Sequence, residues 1–128
     1  MTGCDGLVAV VDDDQSVRRA LGRLLGAFGY DVELYESADA FLQNMKEVQP
    51  DCLLLDVRMP GAHGFTLQDA LARQHRTAPI IFMTAHADIE LAEHAMNLGA
   101  VGFLIKPIEA DVLLDSVQAA IRQGSGGA

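Results

Sequence analysis

Four short apolar runs, each closing on a group that can do chemistry, constrain this chain more than anything else in it. The runs are Leu7–Val11, Cys52–Leu55, Ile80–Met83 and Val101–Ile105, and they lead in turn into Asp12-Asp13-Asp14, Asp56, Thr84 and Lys106-Pro107. Near-continuous apolar character is what a strand shows when both of its faces are covered, and covered strands belong to parallel sheets flanked by helices. In a parallel sheet every strand ends at the same edge. Acids, a hydroxyl and an amine are thereby expected to meet in one place.

The segments between the runs carry a helical period. Val17, Ala20, Leu21, Leu24, Leu25 and Phe28 fall on one helical face, with Gly29 as a stop and Asp14 placed as an N-cap before Gln15-Ser16-Val17. Asp31–Tyr35 alternates, as an edge strand does. Ser37 then caps a helix through Ala38, Phe41, Leu42, Met45 and Val48 that ends at Pro50. Helical spacing recurs over Phe65–Arg76, Ile89–Leu98 and Val112–Ile121. Five strands, each followed by a helix, predict right-handed crossovers and a doubly wound α/β sheet. A strand order of 2-1-3-4-5 puts the ligand-binding switch point between the first and third strands, which end at Asp13 and Asp56.

At 128 residues, half of them hydrophobic, the chain suits one domain with a real core. Residues 1–123 are read as that domain, and the Gly/Ser-rich residues 124–128 as a linker or the cut end of a longer protein. A formal charge of −9 argues against nucleic-acid binding by this segment, which would need a basic face. Cys4 and Cys52 form no disulfide framework, and neither a signal peptide nor a stretch able to span a bilayer is seen. A reducing, cytoplasmic location without membrane contact is the expectation.

Crowded carboxylates at a strand end repel one another unless something positive sits among them, so Asp12, Asp13 and Asp56 point to a divalent cation. Mg²⁺ prefers few protein carboxylates, several waters and phosphate oxygens. Asp13 and Asp56 can share such an ion. Lys106 then offers a point charge to phosphoryl oxygens, Thr84 a hydroxyl donor, and Asp56 a carboxylate able to attack phosphorus and form an aspartyl-phosphate.

The pattern Val10-Val11-Asp12-Asp13-Asp14, Leu55-Asp56-Val57-Arg58-Met59-Pro60-Gly61 with Gly64, Met83-Thr84-Ala85 and Phe103-Leu104-Ile105-Lys106-Pro107 resembles the receiver domain of two-component response regulators. The run from Leu53 to Gly61, Ala40-Phe41-Leu42, and Gly99-Ala100 before Phe103 look most like the FixJ group, whose members usually carry a C-terminal LuxR-type helix-turn-helix. The resemblance implies a flavodoxin-like (CheY-like) fold of five parallel strands and five helices. It makes Asp56 the phosphoacceptor for a sensor histidine kinase, Asp13 a direct Mg²⁺ ligand, Asp12 an acid acting through metal-bound water, and the backbone carbonyl of Arg58 a further ligand. Lys106 would pair with Asp56 at rest, across a cis Lys106-Pro107 bond. Thr84 and Phe103 would move together on phosphorylation and alter the face made by the fourth helix, fifth strand and fifth helix, where a phosphorylation-dependent homodimer would form. Such a domain assists its own phosphorylation and dephosphorylation without being a turnover enzyme, and its expected output is transcription.

Arg58 and His86, two residues past Asp56 and Thr84, sit where the family varies side chains to tune phosphoryl lifetime; plain exposed loop residues are the bland reading of both. Phe103 is promoted from core to switch by the resemblance alone. His63 and Thr66 receive no role, and no pair of the four histidines has zinc spacing. Two other functions compete. A haloacid-dehalogenase-like phosphatase would use Asp12 as nucleophile, but leaves the Arg58-Met59-Pro60-Gly61 loop unexplained. A degenerate receiver acting only as a binding module would be expected to lack one of the acid, hydroxyl or lysine positions.

Overall fold

The structure is a computed structural model, and it describes residues 6–44, 50–57, 78–85, 89–97 and 99–126. The elements run β1 (Leu7–Val11), α1 (Gln15–Ala27), β2 (Asp31–Tyr35), α2 (Ala38–Asn44), β3 (Cys52–Asp56), β4 (Ile80–Thr84), α3 (Ile89–Asn97), β5 (Gly102–Ile105) and α4 (Ala110–Gly126). All strand pairs are parallel, in the order β2-β1-β3-β4-β5. The alternating strand β2 lies at an edge, as its pattern required. The helix expected over Phe65–Arg76 and the residues Met45 and Val48 lie outside the described residues.

The apolar runs become strands because most of their residues have somewhere dry to go; in the fourth run Val101 and Ile105 stay exposed. Successive side chains point to opposite faces of the sheet, and the burial follows. Ala9, Val11, Leu53, Leu55 and Phe82 pack on one face with Ala38 and Phe41 of α2. Val8, Val10, Leu54, Ile81 and Met83 pack on the other with Leu21 and Leu25 of α1 and Leu113 and Val117 of α4. Strands β3 and β4 are buried throughout. Each large aliphatic side chain so buried contributes roughly 1.5–3 kcal/mol relative to exposure.

The helix ends show local chemistry at work. The Asp14 carboxylate accepts hydrogen bonds from the amides of Ser16 (2.8 Å) and Val17 (3.3 Å), as an N-cap should. At the other end of α1, Gly29 adopts φ +96°, its N–H donates to the Gly26 carbonyl, and the Tyr30 N–H reaches back to the Leu25 carbonyl. This paired closure needs a left-handed residue at that point, which glycine supplies without a Cβ penalty. Ser37 Oγ accepts from the Ala40 amide at 3.0 Å and opens α2.

Three expectations need correction. Phe28 is not on the buried face: it stands at the C-cap, where the chain turns away, and is 56% exposed. Val101 precedes β5, which begins at Gly102. Helix α4 starts at Ala110 and runs to Gly126, well beyond the predicted Val112–Ile121 and into the Gly/Ser tail. The apolar period marks only the part of a helix that meets the core, so polar turns at either end escape it. Among the described residues no helix is long and apolar enough to cross a membrane.

Candidate functional site

The carboxyl edge of the sheet gathers the predicted groups. Asp12 follows directly on β1, Asp56 and Thr84 are the last residues of β3 and β4, and Lys106 follows directly on β5. Asp12 and Thr84 are buried, at 0% and 1% exposure, and Asp56 is nearly so at 8%. Asp13, between Asp12 and the cap Asp14, is exposed. Carboxylate oxygens of Asp12, Asp13 and Asp56 all lie within 4.8 Å of one another.

A fully buried carboxylate must be paired and hydrogen-bonded to remain charged at tolerable cost, and Asp12 is. Its Oδ1 accepts from the Asp14 amide at 2.9 Å, and its Oδ2 accepts from Lys106 Nζ at 2.9 Å. Lys106 lies somewhat farther from Asp56 Oδ2, at 3.5 Å. The lysine thus bridges two acids: the expected pairing with Asp56 is present, and Asp12 is the closer partner. Asp12 has the greater need, being sealed from water. Burial pulls the Lys106 pKa down, but the hydrogen bond to Asp12 and the charges of Asp56 and Asp12 outweigh it, and the net shift is upward. The ammonium stays charged at neutral pH.

Thr84 Oγ1 donates to the Ala85 carbonyl at 3.1 Å, and the Lys106 N–H donates to the Thr84 carbonyl at 2.8 Å, which ties the hydroxyl strand to the lysine turn. The Lys106-Pro107 bond is cis. Phe103, opposite Phe82 in the β4–β5 register, is half-buried against the core that contains Phe41. Arg58 and His86 lie outside the described residues, as do His63, Thr66 and His75; His94 is exposed on α3.

One residue to which the sequence analysis gave no role does touch the site. Arg18 Nη1 donates to the backbone carbonyl of Asp12 at 2.7 Å. A signal was available: helical side chains lean toward the helix N-terminus, so an arginine one turn inside α1 reaches the turn that precedes it.

The donor set suits a hard divalent cation. Three carboxylates against one ammonium leave two negative charges, and oxygen is the donor that Mg²⁺ takes. Of the three acids, Asp12 is sealed from water, with one oxygen on the Asp14 amide and the other on Lys106, whereas Asp13 is exposed.

Residues 8–118 match the family model of the response regulator receiver domain. The chain belongs to this family. Among similar proteins, the transcriptional regulatory protein FixJ of Bradyrhizobium diazoefficiens is 42% identical over 123 residues, covering 96% of this chain and 60% of FixJ. Nodulation protein W of the same organism is 46% identical over 114 residues, covering 89% of this chain and 50% of that protein. The crystal structure of full-length FixJ from B. japonicum superposes with a TM-score of 0.91 at 41% identity, covering 97% of this chain and 61% of that one. The chain spans about half to three fifths of the length of these relatives. The phosphatase alternative is not favoured, because the match over residues 8–118 is to the receiver family.

Proposed function

We propose that this receiver domain accepts a phosphoryl group on Asp56 from a phosphohistidine of a sensor histidine kinase, in a Mg²⁺-dependent reaction that switches its associations. The observation that carries the reading is the meeting of Asp12, Asp13, Asp56 and Lys106 at one sheet edge, with Thr84 on the neighbouring strand end. In the transfer, a carboxylate oxygen of Asp56 bonds to phosphorus while the bond from phosphorus to the donor nitrogen breaks, its electron pair leaving with the imidazole. When bound, Mg²⁺ would be held by Asp13, Asp56 and the Arg58 carbonyl, with Asp12 acting through water, and would offset the repulsion between an anionic nucleophile and an anionic donor.

Every other contribution comes from the chain itself. Strands β1, β3, β4 and β5 hold the groups at fixed spacing, so the reaction draws on positioning and charge neutralisation. Lys106 offers its charge to the new phosphoryl oxygens, Thr84 turns its hydroxyl toward them, and Phe103 moves inward behind it. Better contacts to the phosphoryl group in one state then shift the population toward that state. The altered face of α3, β5 and α4 supports a phosphorylation-dependent homodimer. Arg58 and His86, two residues past Asp56 and Thr84 in the sequence, set how fast water removes the phosphoryl group. The domain assists its own phosphorylation and dephosphorylation without turning over a substrate, in the cytoplasm. The transcriptional role of FixJ supports an output in transcription through a helix-turn-helix domain, without nucleic-acid contact by these residues.

The test is intact mass after incubation with acetyl phosphate, with and without Mg²⁺. A single Mg²⁺-dependent phosphoryl adduct is expected, absent from the nearly isosteric Asp56→Asn variant. No adduct with the donor unconsumed would leave a binding module; no adduct with rapid donor hydrolysis would restore the phosphatase.

A further inference from the structure

We infer that Arg18 is a positioning residue for the metal ligand Asp13, acting through the backbone of Asp12. This rests on the proposed Mg²⁺ site and adds to it a determinant from inside α1. Asp13 is exposed, and its placement is set by the two peptide groups that bracket its Cα. The peptide on its C-terminal side is held where the Asp14 N–H donates to Asp12 Oδ1 at 2.9 Å. On its N-terminal side, the Asp12 carbonyl receives the Arg18 guanidinium at 2.7 Å. Both peptide planes are therefore pinned, one by a buried carboxylate and the other by Arg18.

The two pins differ in what backs them. Asp12 is fixed by Lys106 and by its own N–H, which donates to the Tyr35 carbonyl at 3.1 Å at the end of β2. Arg18 is fixed by the helix it belongs to, whose first turn closes on Asp14: the Arg18 N–H donates to the Asp14 carbonyl at 3.0 Å. Side chain and backbone of Arg18 thus hold the carbonyls of Asp12 and Asp14, the residues on either side of Asp13. A charge-assisted bond from a guanidinium is among the stronger ones, and its planar fork loses less freedom on binding than a lysine stem does. Groups that orient a metal ligand commonly matter 10–100-fold to metal affinity. Arg18 acts one bond further back, through backbone, so an effect of roughly 5–10-fold is expected.

The opposing possibility is electrostatic. Arg18 is a cation near a cation site, and if its charge matters more than its grip, its removal tightens metal binding. The experiment titrates the whole chain with Mg²⁺ by calorimetry for the native sequence, Arg18→Met, which keeps the aliphatic stem, and Arg18→Lys, which keeps a cationic donor. Amide hydrogen exchange at Asp13 and Asp14 is read alongside without metal. Positioning predicts a dissociation constant raised about 5–10-fold in Arg18→Met, a smaller rise in Arg18→Lys, whose flexible stem rescues the grip only in part, and faster exchange at Asp13 and Asp14 with β1 and β3 protection retained. Unchanged or tighter Mg²⁺ binding by a folded Arg18→Met overturns the inference. If Arg18→Met does not fold, Arg18→Lys decides alone: native affinity together with native exchange at Asp13 and Asp14 overturns it, and weaker binding with faster local exchange sustains it. Failure of the native protein itself to bind Mg²⁺ overturns the metal site instead, which separates the two readings.

Discussion

Lys106 joins two acids that would otherwise repel each other, and the consequence of losing it is set by Asp12. With Lys106 removed, Asp12 keeps the bond from the Asp14 amide but holds a charge sealed from water with no counter-charge at 2.9 Å. Breaking a fully buried pair in this way costs about 3–5 kcal/mol. The Lys106 side chain is 27% exposed, so water screens part of this, and a loss of about 1–3 kcal/mol is expected for Lys106→Ala in urea denaturation. Adding Asp12→Asn should recover part of that loss, because it removes the stranded charge; a double variant weaker than the sum of its parts would contradict the account. The closeness of Asp12 to Lys106 was not legible in the sequence. Nothing in a residue string says which of two neighbouring acids will be fully desolvated.

Elements were legible where burial and periodicity coincide. Strand β1 runs over the predicted residues, and β3 and β4 differ only in including their terminal Asp56 and Thr84. Helix α1 was readable at both ends because Asp14 and Gly29 act through their own side-chain and backbone chemistry. Where an element leaves the core, the signal stops. Phe28 looked like one more core position because spacing cannot see that the helix has already ended at Ala27. Helix α4 extends past Ile121 with no apolar residue to mark it. The cap itself is testable: Asp14→Ala removes the acceptor for two amides but leaves the Asp14 N–H bond to Asp12 intact. A destabilisation of about 1 kcal/mol is expected, read as a lower urea midpoint. No loss would mean that the Ser16 and Val17 amides are equally well served by water.

For the whole molecule, alkaline pH is the revealing variable. Burial, with the charge of Asp51 nearby, pushes the Cys52 thiol from 9.0 up to about 12. Burial and the hydrogen bond to Glu33 push Tyr35 from 10.0 up to about 12. Lys106 also moves upward. Each group holds its proton more tightly when folded than when unfolded. Their contribution is therefore complete below the unfolded values and is lost as pH rises toward the folded ones. Stability should fall from about pH 9 upward, at up to about 1.4 kcal/mol per pH unit for the buried Cys52 thiol and by less for Tyr35 and Lys106, which water screens. Urea midpoints between about pH 8 and pH 11 check this. A Cys52→Ala variant should delay the onset, and a flat profile in the native protein would refute it.

The assembly of the site from distant parts of the chain bears on its history in the cell. Asp12 and its cation Lys106 are separated by 94 positions, and chains are synthesised from the N-terminus. While the ribosome is still making the middle of the domain, Asp12 already exists and its partner does not. Closing β1 into a dry core at that stage would bury an uncompensated charge. The last strand to be made brings the ion pair, so a half-made or clipped receiver has acids but no balanced pocket, and competence to receive a signal arrives only with the finished fold.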